Sequence, residues 1–177
     1  FIGVEVAENL KEIGKDVTII DMAPQVLAPL DFEFAQIVHK KLVRQGIKLK
    51  LNDGVSHFEN NGHLVVTQSG QAIETDMIIL AIGVSSEVKL AKDADLNVGA
   101  LKGIVVDEHM LTSDPDIYAL GDAVEVKHRV SGLTTKIPLA WPANRQAIVV
   151  ANHIFGIEDS YKGSLGTAVV KVFDLTV

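Results

Sequence analysis

The chain has 177 residues, 47% of them apolar, and 16 Lys and Arg against 23 Asp and Glu give a formal charge of −7. With no basic cluster in it, that acidic balance excludes the usual electrostatic footprint of a nucleic-acid partner. There is no cysteine, so a disulfide framework, a thiolate metal site and a thiol nucleophile are all excluded within these residues.

Val4, Ala7, Leu10 and the nearby Ile13 recur at helical spacing, and Gly14 stands where a left-handed cap closes a helix. Val17-Thr18-Ile19-Ile20 follows as a short buried strand ending in Asp21. A loop with Pro24 and Pro29 leads to Asp31, a suitable N-cap. The next helix carries Phe34, Val38 and Leu42 on one stripe with Ile37 beside it, and stops at Gly46; Ile47 to Leu51 is another strand. Helix, strand, helix, strand with short connections implies a parallel sheet. From Val55 to Gly70 the pattern changes to strand and turn signals at hairpin spacing around Asn60-Asn61-Gly62, an antiparallel meander. Met77-Ile78-Ile79-Leu80-Ala81-Ile82, closed by Gly83, has the composition of a central strand.

Residues 85–100 are polar and weakly helical, a crossing segment. Gly103 to Asp107 and Ile117 to Leu120 read as strands. A long helix runs from about Trp141 to Phe155, with Ala143, Ala147, Val150, Ala151 and Ile154 apolar, and Gly156 ends it. Few aromatics and plentiful branched aliphatics suit strands covered by helices. No apolar run approaches the roughly 18 residues that span a bilayer, and no signal-peptide pattern opens the chain, so a soluble cytoplasmic protein without a membrane partner is expected. The chain opens without Met inside a helical pattern and closes on the strand-like Val169-Val170-Lys171-Val172-Phe173, ends that read as those of a fragment.

A dinucleotide fold needs a strand, a glycine-rich turn, a helix and an acid at the end of the next strand. Gly3 fits the third fingerprint glycine, which lets the helix pack on the strand, and Asp21 follows 18 residues later, where a carboxylate holds ribose hydroxyls and repels a 2′-phosphate. Ordinary crossover units share both features, so an unliganded unit reads equally well on these residues alone.

The second half is more specific. An apolar run, Ile117-Tyr118-Ala119-Leu120, delivers Gly121 and Asp122 at its carboxyl end. Glycine lets a cofactor pass close to the backbone, and the aspartate is an acceptor for a sugar-alcohol hydroxyl. Pro138-Leu139-Ala140-Trp141-Pro142-Ala143-Asn144-Arg145-Gln146 then opens a helix whose free N–H groups suit the pyrimidine edge of a flavin, where negative charge develops on hydride uptake.

These stretches, with Phe1-Ile2-Gly3-Val4-Glu5 and Ala81-Ile82-Gly83-Val84, resemble the pyridine nucleotide-disulfide oxidoreductases, nearest to the NADH oxidase, NADH peroxidase and coenzyme A-disulfide reductase branch, over the whole chain. The resemblance implies an α/β fold: a Rossmann-like NAD(P)-binding domain with an antiparallel meander over residues 1–84, lacking its first strand; the C-terminal part of an FAD-binding domain over 85–158; and the start of a dimerisation domain over 159–177. It implies FAD and NADH as cofactors. Phe1 matches an aromatic lying over the flavin, Gly3 the last fingerprint glycine, Glu5 an acid near the nicotinamide amide and Asp21 the ribose acceptor. Gly83 ends a stretch near the dinucleotide, Gly121 and Asp122 face the ribitol chain, and Ala140, with Leu139 and Trp141 beside it, matches a backbone donor to the ring.

The first two fingerprint glycines are absent, the usual Arg-Pro after Ala-Ile-Gly-Val is Ser85-Ser86, and the usual Gly-Arg after Asn-Arg-Gln is Ala147-Ile148. The implied enzyme is a homodimer passing hydride from NADH to FAD and on to a small-molecule, disulfide or oxygen acceptor, with no catalytic residue in this segment. Arg145 suits a surface ion pair or a cofactor role. The six histidines read as surface or loop residues, not metal ligands. Two other readings are a ferredoxin-reductase-like electron carrier and a catalytically inert nucleotide-binding fragment.

Overall fold

Three helices of this protein end in the same way, on a glycine with positive φ that folds the chain back over the last turn. In the computed structural model, which describes residues 1–177, α1 (Ile2–Glu12), α2 (Phe32–Arg44) and α4 (Ala140–Ile154) are each followed by such a glycine: Gly14, Gly46 and Gly156. The amides of Gly14 and Lys15 donate to Lys11 and Leu10, those of Gly46 and Ile47 to Val43 and Leu42, and those of Gly156 and Ile157 to His153 and Asn152. This pairing satisfies the orphan carbonyls at a helix end and needs the left-handed backbone that glycine adopts without strain. Ile47 is itself buried in the same core as Leu42, so the second cap carries an apolar clasp as well.

The chain forms two compact units, residues 1–82 with 168–177 and residues 83–167. In the first, β1 (Thr18–Ile20) and β2 (Lys48–Lys50) pair in parallel, joined through α2 as expected of a crossover unit. The predicted meander is present: β3 (Val55–Glu59), β4 (Leu64–Thr67) and β5 (Ala72–Glu74) run antiparallel in that order. Asn60, Asn61 and Gly62 all have positive φ in the β3–β4 turn, residue types that tolerate that region best. In β4, Val65 and Thr67 are buried while Leu64 and Val66 are half-exposed, the period of two of a sheet with one covered face. The hairpin β9 (Lys171–Val172) and β10 (Leu175–Thr176) adds Val170 and Val172 to the core of α1 and α2.

In the second unit α3 (Lys89–Asp93) is a short helix in the crossing segment, and β6 (Ile104–Val105) pairs in parallel with β7 (Val124–Lys127), which pairs antiparallel with β8 (Thr134–Thr135). Its core gathers Val88, Ala91, Ile104, Met110, Val124, Val126, Val149 and Tyr161. No helix is long and apolar enough to cross a membrane.

Several expectations are corrected. Met77–Ile82 is not a strand and most of it is exposed; a run apolar on both faces needs paired neighbours and cover, whereas β1 pairs only with β2 and nothing pairs with residues 77–82. Ile117–Leu120 is also not a ladder strand: only Tyr118 makes an isolated bridge, to Leu111. The strand running through Val124 escaped the sequence reading, as did β8. On α2 the buried stripe is Ala35, Val38 and Leu42, while Phe34 and Ile37 are 57% and 53% exposed. On α4 the buried positions are Gln146 and Val149, while Ala147, Ala151 and Ile154 face solvent. Residues 159–167 go with the second unit and residues 168–177 with the first.

Two outcomes test this packing. Leu42→Ala is expected to lower stability by about 2–5 kcal/mol in urea unfolding, as for a filled core site, and Phe34→Ala by less than about 0.5 kcal/mol. His39 Nε2 accepts the Val26 amide at 3.1 Å, so the ring is neutral, and burial lowers its pKa below 6.5. The unfolded chain then binds the proton more readily, so this contribution is whole above pH 6.5 and declines as pH falls below it. By NMR titration His39 is expected to protonate below that value, and His39→Gln to flatten the acid slope of stability.

Candidate functional site

In the first unit, Gly3 lies in the opening turn of α1, and a Cβ built there would stand 3.2 Å from the Ala81 Cβ. The helix therefore approaches residues 77–82 at a distance that a larger side chain would push apart. Phe1 precedes the helix with its side chain half exposed and makes no side-chain cap, leaving the first amides of α1 open. Glu5 is exposed on that same turn. Asp21 directly follows β1. Its amide donates to Lys50 O at 2.9 Å, its carbonyl accepts from Asp53 at 3.1 Å, and its Oδ1 accepts the Ala23 amide at 2.9 Å. The second carboxylate oxygen has no protein partner, so a fixed, exposed acceptor stands at the strand's carboxyl end.

In the second unit, a tight turn sets up the Gly-Asp pair. Asp114 Oδ1 accepts the Asp116 amide and Thr112 Oγ1 accepts that of Asp114, folding Thr112 to Ile117 back on itself. The chain then runs extended through Leu120 into a 3-10 turn, Gly121–Ala123, with Gly121 at φ +78°. The Gly121 amide donates to Gln146 Oε1 at 2.7 Å, and a Cβ on Gly121 would lie 3.8 Å from that of Ala143. The tip carrying Asp122 is thus seated on the first turns of α4. Asp122 is exposed, its carbonyl accepts from Ser86 Oγ at 2.9 Å, and its carboxylate has no protein partner. Leu139 precedes α4 and makes no side-chain cap. Since Pro142 has no N–H, the open amides of that turn belong to Ala140 and Trp141. Trp141 is 82% exposed. Gly83, at φ +94°, makes its turn in open space, with nothing within 4 Å of a built Cβ.

Gln146 carries the docking of this turn and was not singled out from sequence. The available signal was a polar residue three positions from both Ala143 and Val149, on the face that becomes buried. Arg145 grips Asp159 with both nitrogens, at 2.8 and 2.5 Å, and Asn152 donates to the same carboxylate at 2.8 Å. The Arg145 guanidinium holds the Asp159 carboxyl well below the usual carboxylate range. Arg145 is therefore an ion-pair residue. His109 and His153 are not isolated loop residues, since their rings stack at 4.6 Å and His153 Nδ1 shares a 2.7 Å hydrogen bond with Tyr118 Oη.

The profile of the pyridine nucleotide-disulphide oxidoreductases matches residues 1–147. The chain belongs to this family. A curated relative, an NADH oxidase of Methanocaldococcus jannaschii, is 39% identical over 99% of the chain and 40% of its own length. A coenzyme A disulfide reductase of Staphylococcus epidermidis is 33% identical over 100% of the chain and again 40% of its own length. The crystal structure of reduced CoADR-RHD from Bacillus anthracis superposes with a TM-score of 0.97 at 52% identity, over 99% of this chain and 32% of that one. The chain spans about two-fifths of the length of the curated relatives it matches, and the oxidoreductase fold accounts for its parallel crossover unit and meander.

Gln146→Leu keeps the volume but leaves the Gly121 amide without an acceptor. A loss of about 1–3 kcal/mol is expected in thermal or urea unfolding of the second unit, with the Gly121 amide exchanging faster in hydrogen-exchange measurements.

Proposed function

We propose that these residues serve an FAD-dependent NADH oxidoreductase of the NADH oxidase or coenzyme A-disulfide/persulfide reductase type, the first unit holding the nicotinamide dinucleotide and the second the ribitol chain and ring edge of the flavin. The observation that carries this reading is the Gly121–Asp122 turn seated on α4, with a free carboxylate and two open amides beside it. Relatives named as NADH oxidase and coenzyme A disulfide reductase support it.

The residues fit the groups they are assigned. Asp122, with its backbone fixed and its carboxylate unengaged, accepts hydroxyls of the ribitol chain. Gly121 presents no side chain where that chain passes. The amides of Ala140 and Trp141 donate to the pyrimidine edge, and the partial positive charge of the helix terminus favours an electron-rich ring. Leu139 and Trp141 stand beside that edge. When bound, FAD takes up hydride from NADH and passes the electrons to the acceptor.

In the first unit the free oxygen of Asp21 accepts the ribose hydroxyls of NADH and repels a 2′-phosphate. Gly3 keeps α1 close enough for its open amides to face the pyrophosphate, and Gly83 turns the chain beside the dinucleotide. Glu5 stands near the nicotinamide amide, and Phe1 keeps the role the resemblance implies, an aromatic over the flavin. With this reading go a disulfide, oxygen or other small-molecule acceptor, a homodimeric assembly and a cytoplasmic location. A thiol carrying electrons to a disulfide lies outside these residues, which hold no cysteine.

The test uses the full-length protein. It is expected to purify with a flavin absorption band that NADH bleaches without oxygen. Asp122→Ala, removing a hydrogen bond to a charged group, is expected to raise the FAD dissociation constant roughly 10- to 100-fold. Absence of a flavin band after reconstitution with FAD, or a band that NADH leaves unchanged, overturns the proposal.

A further inference from the structure

The turn presenting Asp122 is held at two points, and only one of them belongs to α4. On the amino side the Gly121 amide is fixed by Gln146. On the carboxyl side the Asp122 carbonyl accepts from Ser86 Oγ at 2.9 Å, across 36 residues of sequence, and Lys136 Nζ donates to that Ser86 Oγ at 3.3 Å. An ammonium has donors only, so Ser86 Oγ accepts from Lys136, and its single proton is left for the Asp122 carbonyl. The direction of both bonds follows from the side-chain types, and each polarises the other.

The consequence falls on Asp122 itself. The peptide before Gly121 and the peptide after Asp122 are both tied, so the backbone that aims the carboxylate has little freedom left, while the carboxylate itself stays unengaged. An acceptor aimed before the ligand arrives binds without a further ordering cost. Ser86 and Lys136 are both half-buried, which limits competition from water for the bond between them.

We propose that Ser86, oriented by Lys136, is a positioning residue for Asp122, setting how tightly the flavin's ribitol chain is held; this inference rests on the flavin reading above. In the full-length protein, with FAD removed and titrated back by fluorescence, Ser86→Ala is expected to raise the dissociation constant roughly 3- to 10-fold, the effect of one ordinary hydrogen bond. Ser86→Thr keeps the hydroxyl and is expected to stay within about twofold of the parent, and Lys136→Met to weaken FAD in the same direction by no more than Ser86→Ala. In an Asp122→Ala background, Ser86→Ala is expected to add nothing.

A purely structural role would weaken FAD equally in both backgrounds, so additive effects overturn the proposal, as does an unchanged constant for Ser86→Ala. If that variant does not fold, Lys136→Met alone and with Asp122→Ala decides by the same comparison. If Asp122→Ala by itself leaves FAD binding unchanged, the flavin reading fails at this turn and the inference falls with it; a large Asp122 effect beside a null Ser86 effect sinks the inference alone.

Discussion

An amide shielded from water has to find an acceptor, and in this protein four buried polar side chains supply one where no strand ladder does. The sheets have only two or three short strands each, so long connections run against the cores without a ladder to satisfy them. Glu8, Thr67, Glu125 and Gln146 are the buried polar residues. Each accepts an amide from outside its own element. Glu8 takes that of Phe173 at 2.8 Å, Thr67 that of Gln71 at 3.2 Å, Glu125 those of Leu101 and Gly103 at 2.8 and 3.1 Å, and Gln146 that of Gly121 at 2.7 Å. No buried side-chain nitrogen or oxygen lacks a partner.

That arrangement fixes where the backbone is tied and which side chains stay unengaged. Glu8 pins the β9–β10 hairpin to α1, and Glu125 fills the space at the 99–103 loop so closely that a Cβ at Gly99 or Gly103 would come within 2.2 or 2.7 Å of its side chain. Glu125 sits three residues beyond Asp122, so β7 anchors the far side of the turn whose near side rests on Gln146. The outer oxygen of Asp21 and both oxygens of Asp122, by contrast, have no protein partners. Tied backbone beneath unengaged side chains is what the binding roles proposed for these two carboxylates require.

The sequence made helices and their ends readable because their signals are local. Gly14, Gly46 and Gly156 mark the ends of α1, α2 and α4, and Asn60-Asn61-Gly62 marks the β3–β4 turn. Strands were less legible, because being a strand depends on a partner elsewhere. Met77–Ile82 and Ile117–Leu120 have strand composition and no ladder, whereas β7 contains Glu125 and Lys127, which look solvated, and yet is paired on both sides. Hydropathy also misjudged which face of a helix goes inward. α2 is apolar on two faces, and the bulkier side chains, Phe34 and Ile37, are on the exposed one. At the candidate site, glycine and aspartate at the end of an extended run could be found by type alone. Gln146 and Ser86 could not, because their roles arise from contacts 25 and 36 residues away.

The lone tryptophan gives this site an optical handle. Trp141 stands in the opening turn of α4 with its indole almost wholly in water, so the long-wavelength ultraviolet emission of these 177 residues originates beside the very amides assigned to a chromophore. On the flavin reading proposed above, a yellow, absorbing ring seated there would drain that emission by energy transfer, so occupancy would register as quenching of the Trp141 signal, with no label attached.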